Sequence, residues 1–322
     1  MKQSSFDLIG DVHGCANTLE KLLLKLGYSS LGQRNGWPVY AHSDRSVIFV
    51  GDIVDRGPRI REALHLVKNM VDEGSAQCIL GNHEYNAIAY TTTVPNKPEE
   101  YVRAHNSRHN RLIAETLSQF ASYPEEWREF LEWFKTLPLY LEFPLFRVVH
   151  ACWDTQLIAE FEQRYRSRCI DTAFVHQTLN LESLEFKLLD RLTRGTDISL
   201  PDGRKITGRD GLERSFFRTK FWADEPETYK DVVFQPDPLP DDLNHKQLSR
   251  QQKAALLSYH DSEKPVFVGH YWLQGNPKPL KPNLACLDYS AVKYGKLVCY
   301  RFDGEQILDN SKFVWVNVEP DN

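Results

Sequence analysis

The sequence predicts an α/β protein whose chemistry sits at strand ends, and two observations carry that reading. Five short apolar runs, in FDLIGDVHG, SVIFVGDIVDRG, QCILGNHE, LFRVVHAC and KPVFVGH, are rich in Val, Ile, Leu and Phe and stop abruptly at Gly or at a metal-ligating residue type. Runs of this length and composition read as buried strands. Between the first three lie helical patterns, one through Leu19, Leu22, Leu23 and Leu26 and one through Ala63, Leu64, Val67 and Val71. Such alternation is the βαβ signature. In open α/β sheets ligands bind beyond the carboxyl ends of strands, so the side chains that follow the five runs are expected on one rim.

The other elements follow in order. Helices are expected to fill 99–136, where Trp127, Phe130, Leu131 and Phe134 fall at helical spacing as a core face. From 151 to 264 charges thicken. FEQRYRSRC and LSRQQKAALL read as helices, and PDG, GRDG and FQPDPLPDDL as turns or irregular loop. This stretch is expected to be a mainly helical and loop lobe inserted between the fourth and fifth ligand-bearing strands of a single domain spanning 1–322. Strand-like runs return at 284–288, 297–302 and 312–317.

A chain of 322 residues with 41% hydrophobic content can bury a substantial core. Its net charge of -5 gives no overall electrostatic footprint for nucleic acid or an anionic membrane. No run approaches the ~18 apolar residues of a membrane-spanning helix, and the apolar stretch in MKQSSFDLIGDVHG is too short for a signal-peptide core. Six cysteines are scattered without a C-x-x-C pair. The expectation is a cytoplasmic protein with reduced thiols and no membrane partner. The oligomeric state is not assigned.

Asp11 and His13 in GDVHG, Asp52 in GDIVDRG, Asn82 in GNHE, His150 in VVHAC and His270 in VGHY offer a mixed oxygen and nitrogen ligand set. Carboxylate with imidazole suits borderline divalent ions such as Mn, Fe or Zn, and the lack of cysteine clusters argues against a structural zinc site. Two ions fit better than one, because Asp52 can bridge through its two oxygens. His105 and His109 have i, i+4 spacing but lack the Glu of a metalloprotease helix, and read as surface histidines.

Each motif alone is a common turn or core feature, but GDVHG, GDIVDRG and GNHE occur in that order, each after a strand-like run. At these residues the chain resembles the protein-phosphatase-like branch of the calcineurin-like metallophosphoesterases, over roughly 5–90 and 137–150 and more loosely over 265–303. The resemblance implies a sandwich of two mixed β-sheets flanked by helices, with a binuclear centre, Mn being the first expectation. By that likeness Asp11, His13 and Asp52 hold one metal, and Asp52, Asn82, His150 and His270 the other. It also puts His83 in the position of the general acid, oriented by Asp55, and Arg56 in that of a phosphate clamp. A second phosphate-binding Arg is implied, for which RSFFRTKFW offers Arg214, Arg218 and Lys220, with Arg218 preferred. Asn82 and Tyr271 complete the expected substrate contacts, although Tyr271 and Cys152 also have an ordinary packing reading.

The implied activity is hydrolysis of a phosphomonoester, on a phosphoprotein or small molecule, by attack of a metal-bridging hydroxide. Symmetrical cleavage of dinucleoside tetraphosphates and removal of phosphate from nucleic-acid ends are the alternatives. Against the last stand the acidic charge and the lack of a P-loop. A non-catalytic scaffold of the same fold would normally lack a ligand or the acid, and this chain has all of them.

Overall fold

In a computed structural model that describes residues 5–207, 213–234 and 239–319, the apolar runs become strands of two mixed sheets. In chain order these strands are β1 (Ser5–Ile9), β2 (Arg45–Phe49), β3 (Ala76–Cys78), β4 (Tyr140–Glu142) and β5 (Arg147–Val149), then β6 (Val266–Val268), β7 (Leu284–Cys286), β8 (Asp288–Tyr289), β9 (Lys296–Phe302) and β10 (Phe313–Asn317). One sheet runs β8-β9-β1-β2-β3, with β10 paired to β9. Its β1, β2 and β3 are parallel, and β9 is antiparallel to β1. The other runs β7-β6-β5-β4, with only β4 antiparallel. The expected sandwich is the observed fold.

The period of two along each strand decides what faces what. Leu8, Ile48 and Val50 from the first sheet meet Val148, Phe267 and Ala285 from the second in one core. Ile9, Val47 and Phe49 point the other way and join a larger core. That core takes in α1 (Ala16–Leu26) and α2 (Ile60–Asp72), the helices that follow β1 and β2. Leu19, Leu22, Leu23 and Leu26 of α1 are all buried. At about 1.5–3 kcal/mol per buried aliphatic side chain, that face is enough to dock the helix.

Two stretches depart from expectation. Helix does not fill 99–136 from its start: Lys97–Tyr101 is a strand that pairs with Thr93–Val94. Asn96 turns the chain in the left-handed region and Pro98 has no N–H to give a helix. The helix before this hairpin is α3 (Asn82–Thr91), and those after it are α4 (Ser107–Gln119) and α5 (Pro124–Lys135). Trp127, Phe130, Leu131 and Phe134 form the buried face of α5. His105 lies before the helix with its Nε2 on the Tyr90 carbonyl, and His109 Nδ1 hydrogen bonds the Ala104 carbonyl, so each ring is tied to backbone and the two do not form a site.

Residues 151–264 divide between two cores. Here α6 (Thr155–Arg164), α7 (Thr172–Gln177) and α8 (Leu184–Arg194) contribute Phe161, Phe174, Leu188 and Leu192 to the main core. The antiparallel pair Thr196–Ser199 and Phe216–Thr219 instead supports a small core of its own, with Ile198, Phe217, Tyr229 and Leu248. The GRDG turn at 208–211 and the 235–238 portion of FQPDPLPDDL lie outside the described residues.

One charged group sits on the helix-facing side of β1. Asp7 is fully buried and accepts from Arg45 Nε at 3.0 Å, Arg301 Nε at 3.1 Å and Tyr28 Oη at 3.1 Å. Arg45 also donates to the carbonyls of Phe6 and Phe302, so this cluster ties β1, β2 and β9 together. Asp7→Ala removes the carboxylate that Arg45 and Arg301 share, leaving Arg45 with Asp303 and two carbonyls and Arg301 with the Leu26 carbonyl. It is expected to cost about 3–5 kcal/mol, read as a lower urea midpoint at unchanged m-value. A loss under 1 kcal/mol would show that the cluster does not hold the sheet.

Candidate metal centre

Every expected ligand sits just past a strand end. Asp11 and His13 follow β1, Asp52 follows β2, Asn82 opens α3 after β3, His150 follows β5 and His270 follows β6. All six are at most 7% exposed, so their charges and lone pairs are out of water. The backbone there is unusual: His13, Asp52, Asp55, Arg56, His270 and Trp272 all have φ between +43° and +72°. A left-handed non-Gly residue costs roughly 1–2 kcal/mol. The conformation is held by bonds between the two loops, with Val12 N and His13 N both donating to the Asp52 carbonyl and Gly14 N to that of Ile53.

Glu84 is the clamp under this arrangement. Its buried carboxylate accepts backbone N–H groups from Asp52 at 2.9 Å, Ile53 at 2.7 Å, Val54 at 3.2 Å and Gly81 at 3.0 Å. It thereby fixes the loop after β2 to the start of α3. Burial, with the Asp52 charge adding, pushes its carboxyl up to about 7.

Two groups of donors converge with their atoms within 4.8 Å of one another: His13, Asp52 and His83, and Asp52, His150 and His270. Asp52 is common to both. The imidazoles are pre-oriented, since Nδ1–H of His13 donates to the Val54 carbonyl at 2.9 Å and Nδ1–H of His150 to that of Val50 at 2.7 Å. Each ring therefore presents Nε2 to the site. Nε2 of His270 is buried with no hydrogen-bond partner, a cost that a metal ion would remove. Asn82 Oδ1 stands 3.1 Å from His150 Nε2. Asp11 belongs to neither group, and its two oxygens accept from His270 N at 3.1 and 3.3 Å. The residues present fit borderline divalent ions, with oxygen and imidazole donors and an orphaned lone pair.

The electrostatics show how tightly these charges are packed. Burial pushes the Asp11 carboxyl well above the usual carboxylate range, with Asp288 adding repulsion. Against the same penalty, His150 and His83 hold Asp52 well below that range. Burial pulls His150 down, but the Asp52 charge more than offsets it and leaves the imidazole at about 10. His13 and His270 are both pushed down, by burial first and then by Arg56 and Arg218 respectively. His150 Nε2 stands 3.4 Å from Asp52 Oδ2, and a metal bound there would displace the imidazole proton.

Around the donors stand the remaining candidates. His83 Nδ1 is 2.6 Å from Asp55 Oδ2, and Asp55 also accepts from Thr116 of α4. Its Nε2 faces the site, 4.0 Å from Asp52 Oδ2. Arg56 Nη1 lies 3.2 Å from His13 Nε2, with the guanidinium 4.2 Å from the centre of the Trp272 ring. Arg218 Nη1 donates to the His270 carbonyl at 3.2 Å. Tyr271 is a correction: it is 1% exposed and packs among Phe221, Trp222 and Phe234, so its side chain is unavailable to substrate. Its neighbour Trp272 takes the position beside Arg56. Asp288 was not foreseen either. It is buried and accepts from Trp272 N at 2.8 Å and Ser290 N at 2.9 Å. The signal was present, because the run 284–288 ends in Asp as the ligand-bearing runs do.

Gly269 gives a direct test of this packing. A Cβ there would stand 2.1 Å from Asp11 Oδ1. In the parent chain, Mn²⁺ at 100 times its Kd is expected to raise stability by about 2.7 kcal/mol, read as an upward Tm shift. Gly269→Ala is expected to fold and lose most of that shift. An undiminished shift would show that Asp11 has no part in metal binding.

A family profile described as calcineurin-like phosphoesterase matches residues 4–271. The asymmetrical bis(5'-nucleosyl)-tetraphosphatase of Oceanobacillus iheyensis is 34% identical over 169 residues, 50% of this chain and 61% of that protein, so the match spans under two thirds of this relative's length. The symmetrical bis(5'-nucleosyl)-tetraphosphatase of Vibrio vulnificus is 24% identical over 94% of this chain and 96% of its own. Among solved structures, a cold-active protein-tyrosine phosphatase from a psychrophilic Shewanella shares the fold with a TM-score of 0.52 and 16% identity, over 95% of this chain and 80% of that one. With more than half its length matched by that profile, the chain belongs to the calcineurin-like phosphoesterase family, which uses divalent metals.

Proposed function

We propose that this chain is a two-metal phosphohydrolase acting on dinucleoside tetraphosphates. The observation that carries the two-metal part of the reading is the sharing of Asp52 between two donor groups, with Arg56 and Arg218 beside them. In this reading Asp11, His13 and Asp52 hold one ion, and Asp52, Asn82, His150 and His270 the other. A divalent pair supplies Lewis acidity and lowers the pKa of water, so a nucleophile exists at neutral pH. Manganese is the first choice for this donor set, with Fe and Zn as rivals. A cytoplasmic setting fits six cysteines that are all unpaired. Among the described residues no helix is long and apolar enough to cross a membrane.

The chain's own residues do the rest. Arg56 and Arg218 each present a planar fork that can hold two phosphoryl oxygens. His83 gives a proton from Nε2 to the departing oxygen while its Nδ1 stays on Asp55, whose second oxygen is occupied by Thr116. Trp272 backs the Arg56 guanidinium and restricts its swing. The choice of substrate rests on the names of the relatives, above all the Vibrio protein that aligns along almost the whole chain. Phosphomonoesters remain the second reading, since the metal donors and His83 would act on a single phosphorus in either substrate.

Mn-loaded protein is expected to hydrolyse diadenosine tetraphosphate faster than a phosphopeptide, p-nitrophenyl phosphate or a 3′-phosphorylated oligonucleotide. Two ADP would mark symmetrical attack, and AMP with ATP asymmetrical attack. No turnover of any of the four with two metals bound would overturn the reading.

The leaving group tests His83. Protonation matters most for a strongly basic departing oxygen, so His83→Asn is expected to keep both metals and lose on the order of 10²–10⁴-fold with an alkyl phosphate. The loss with p-nitrophenyl phosphate should be smaller, and Asp55→Asn should show the same pattern more mildly. Equal losses for both substrates would remove the general-acid role.

A further inference from the structure

Three arginines that the chemistry above does not use gather alongside the helix that bears His83. Asn86 neighbours His83 on α3, about 4.5 Å further along its axis, and Ala89 lies about 4.5 Å beyond Asn86. Arg194, at the end of α8, donates Nη2 to Asn86 Oδ1 at 2.9 Å. The backbone N–H of Arg103 donates to the Ala89 carbonyl at 2.9 Å. Arg108 stands in the first turn of α4, the helix whose Thr116 supports Asp55.

Arg194 and Arg108 both repel the Arg103 guanidinium, and all three act on His109. Arg194 has one carboxylate partner, Asp190, at 3.1 Å. Among the described residues, neither Arg103 nor Arg108 makes a side-chain hydrogen bond or ion pair. The acid that Arg103 feels is Asp55, and both Asp55 oxygens are engaged by His83 and Thr116. Burial, then repulsion from Arg194 and Arg108, pushes the Arg103 guanidinium down to about 10, so it stays charged at neutral pH. Three forks with one carboxylate among them repel one another unless an anion lies between them.

We infer that Arg103, Arg108 and Arg194 form a second anion subsite, which holds the part of a polyphosphate chain that extends from the reacting phosphorus past His83. This rests on the reading of the centre as a phosphohydrolase and deepens it. A phosphomonoester bound at Arg56 and Arg218 leaves the arginine group empty. A chain of several phosphates reaches both, and so the cluster selects for polyphosphates.

The test uses two inorganic probes, tripolyphosphate and orthophosphate, with the metal-loaded full chain in excess Mn²⁺. Affinities are measured by calorimetry, and in parallel as inhibition of p-nitrophenyl phosphate turnover. The parent chain is expected to bind tripolyphosphate at least about tenfold more tightly than orthophosphate. Arg103→Gln and Arg108→Gln are each expected to weaken tripolyphosphate about tenfold, the scale of one charge-assisted hydrogen bond. Orthophosphate affinity and kcat on p-nitrophenyl phosphate should stay as they were. Arg108 is exposed, so its variant keeps the test valid if Arg103→Gln fails to fold.

Unchanged tripolyphosphate affinity in Arg108→Gln would overturn the inference. So would a parallel loss of both probes, or a short oligonucleotide of equal charge competing as well as tripolyphosphate, which would assign the cluster to a nucleic-acid backbone. Absence of p-nitrophenyl phosphate turnover in the parent chain would count against the functional reading alone, since the calorimetric arm reports on the subsite without catalysis.

Discussion

Five carboxylates, of Asp11, Asp52, Asp55, Glu84 and Asp288, are each at most 2% exposed at the ends of the strands. Taking an ion out of water costs several kcal/mol even after relaxation, so each must be compensated where it stands. Two devices supply that compensation. Glu84 takes four backbone N–H groups, Asp288 two, and Asp11 that of His270. Asp52 faces His150, and Asp55 faces His83. The loops adopt the shapes that deliver these donors, which is why so much of the local backbone is left-handed.

That strain is tolerable because it stands on stiff elements. Parallel strands β1, β2 and β3 hold the first three motifs in fixed register, and β5 and β6 hold the last two. Close packing leaves no room for drift: a Cβ at Gly81 would come within 2.3 Å of Asp52 Oδ1 and 2.4 Å of its backbone N. The acids therefore remain clustered despite their repulsion, and burial keeps water from screening them. Such a cluster favours cations, which is the property a phosphohydrolase needs before it can polarise a phosphate.

The sandwich and the convergence of the ligands were legible because both follow from local signals. A strand that must be buried on both faces reads as an apolar run, and a residue that must stand on its rim comes next in sequence. Glu84 was harder to read: its role depends on four N–H groups from two different loops, and no spacing rule reports on backbone donors. Tyr271 and Trp272 could not be told apart from sequence, because which of two adjacent rings turns inward depends on the left-handed conformation of His270 and Trp272. The 97–101 strand was hidden by charged residues with ordinary helix propensity, where Pro98 and the Asn96 turn decided the outcome. The division of 151–264 between two cores depends on long-range packing that periodicity does not encode.

The same sequence stretch that obscured the fold supplies the surroundings of the site. In the antiparallel pair after α8, Asp197 lies opposite Arg218, and Arg218 reaches back to the His270 carbonyl. Arg194, only three residues before Asp197, turns instead toward Asn86 on α3. The end of α8 and the second strand of the pair that follows it thus each carry an arginine toward the centre, while the candidate metal donors come from the ends of the sheet strands. Changes in those two elements can alter what is bound without touching the donors that hold the metals. The sheets, in contrast, cannot change their rim residues without stranding a buried carboxylate. In the proposed reading chemistry and recognition are then partly separable, because the metal donors depend on buried charge in rigid register, whereas Arg194 and Arg218 are carried by a helix end and a small second core.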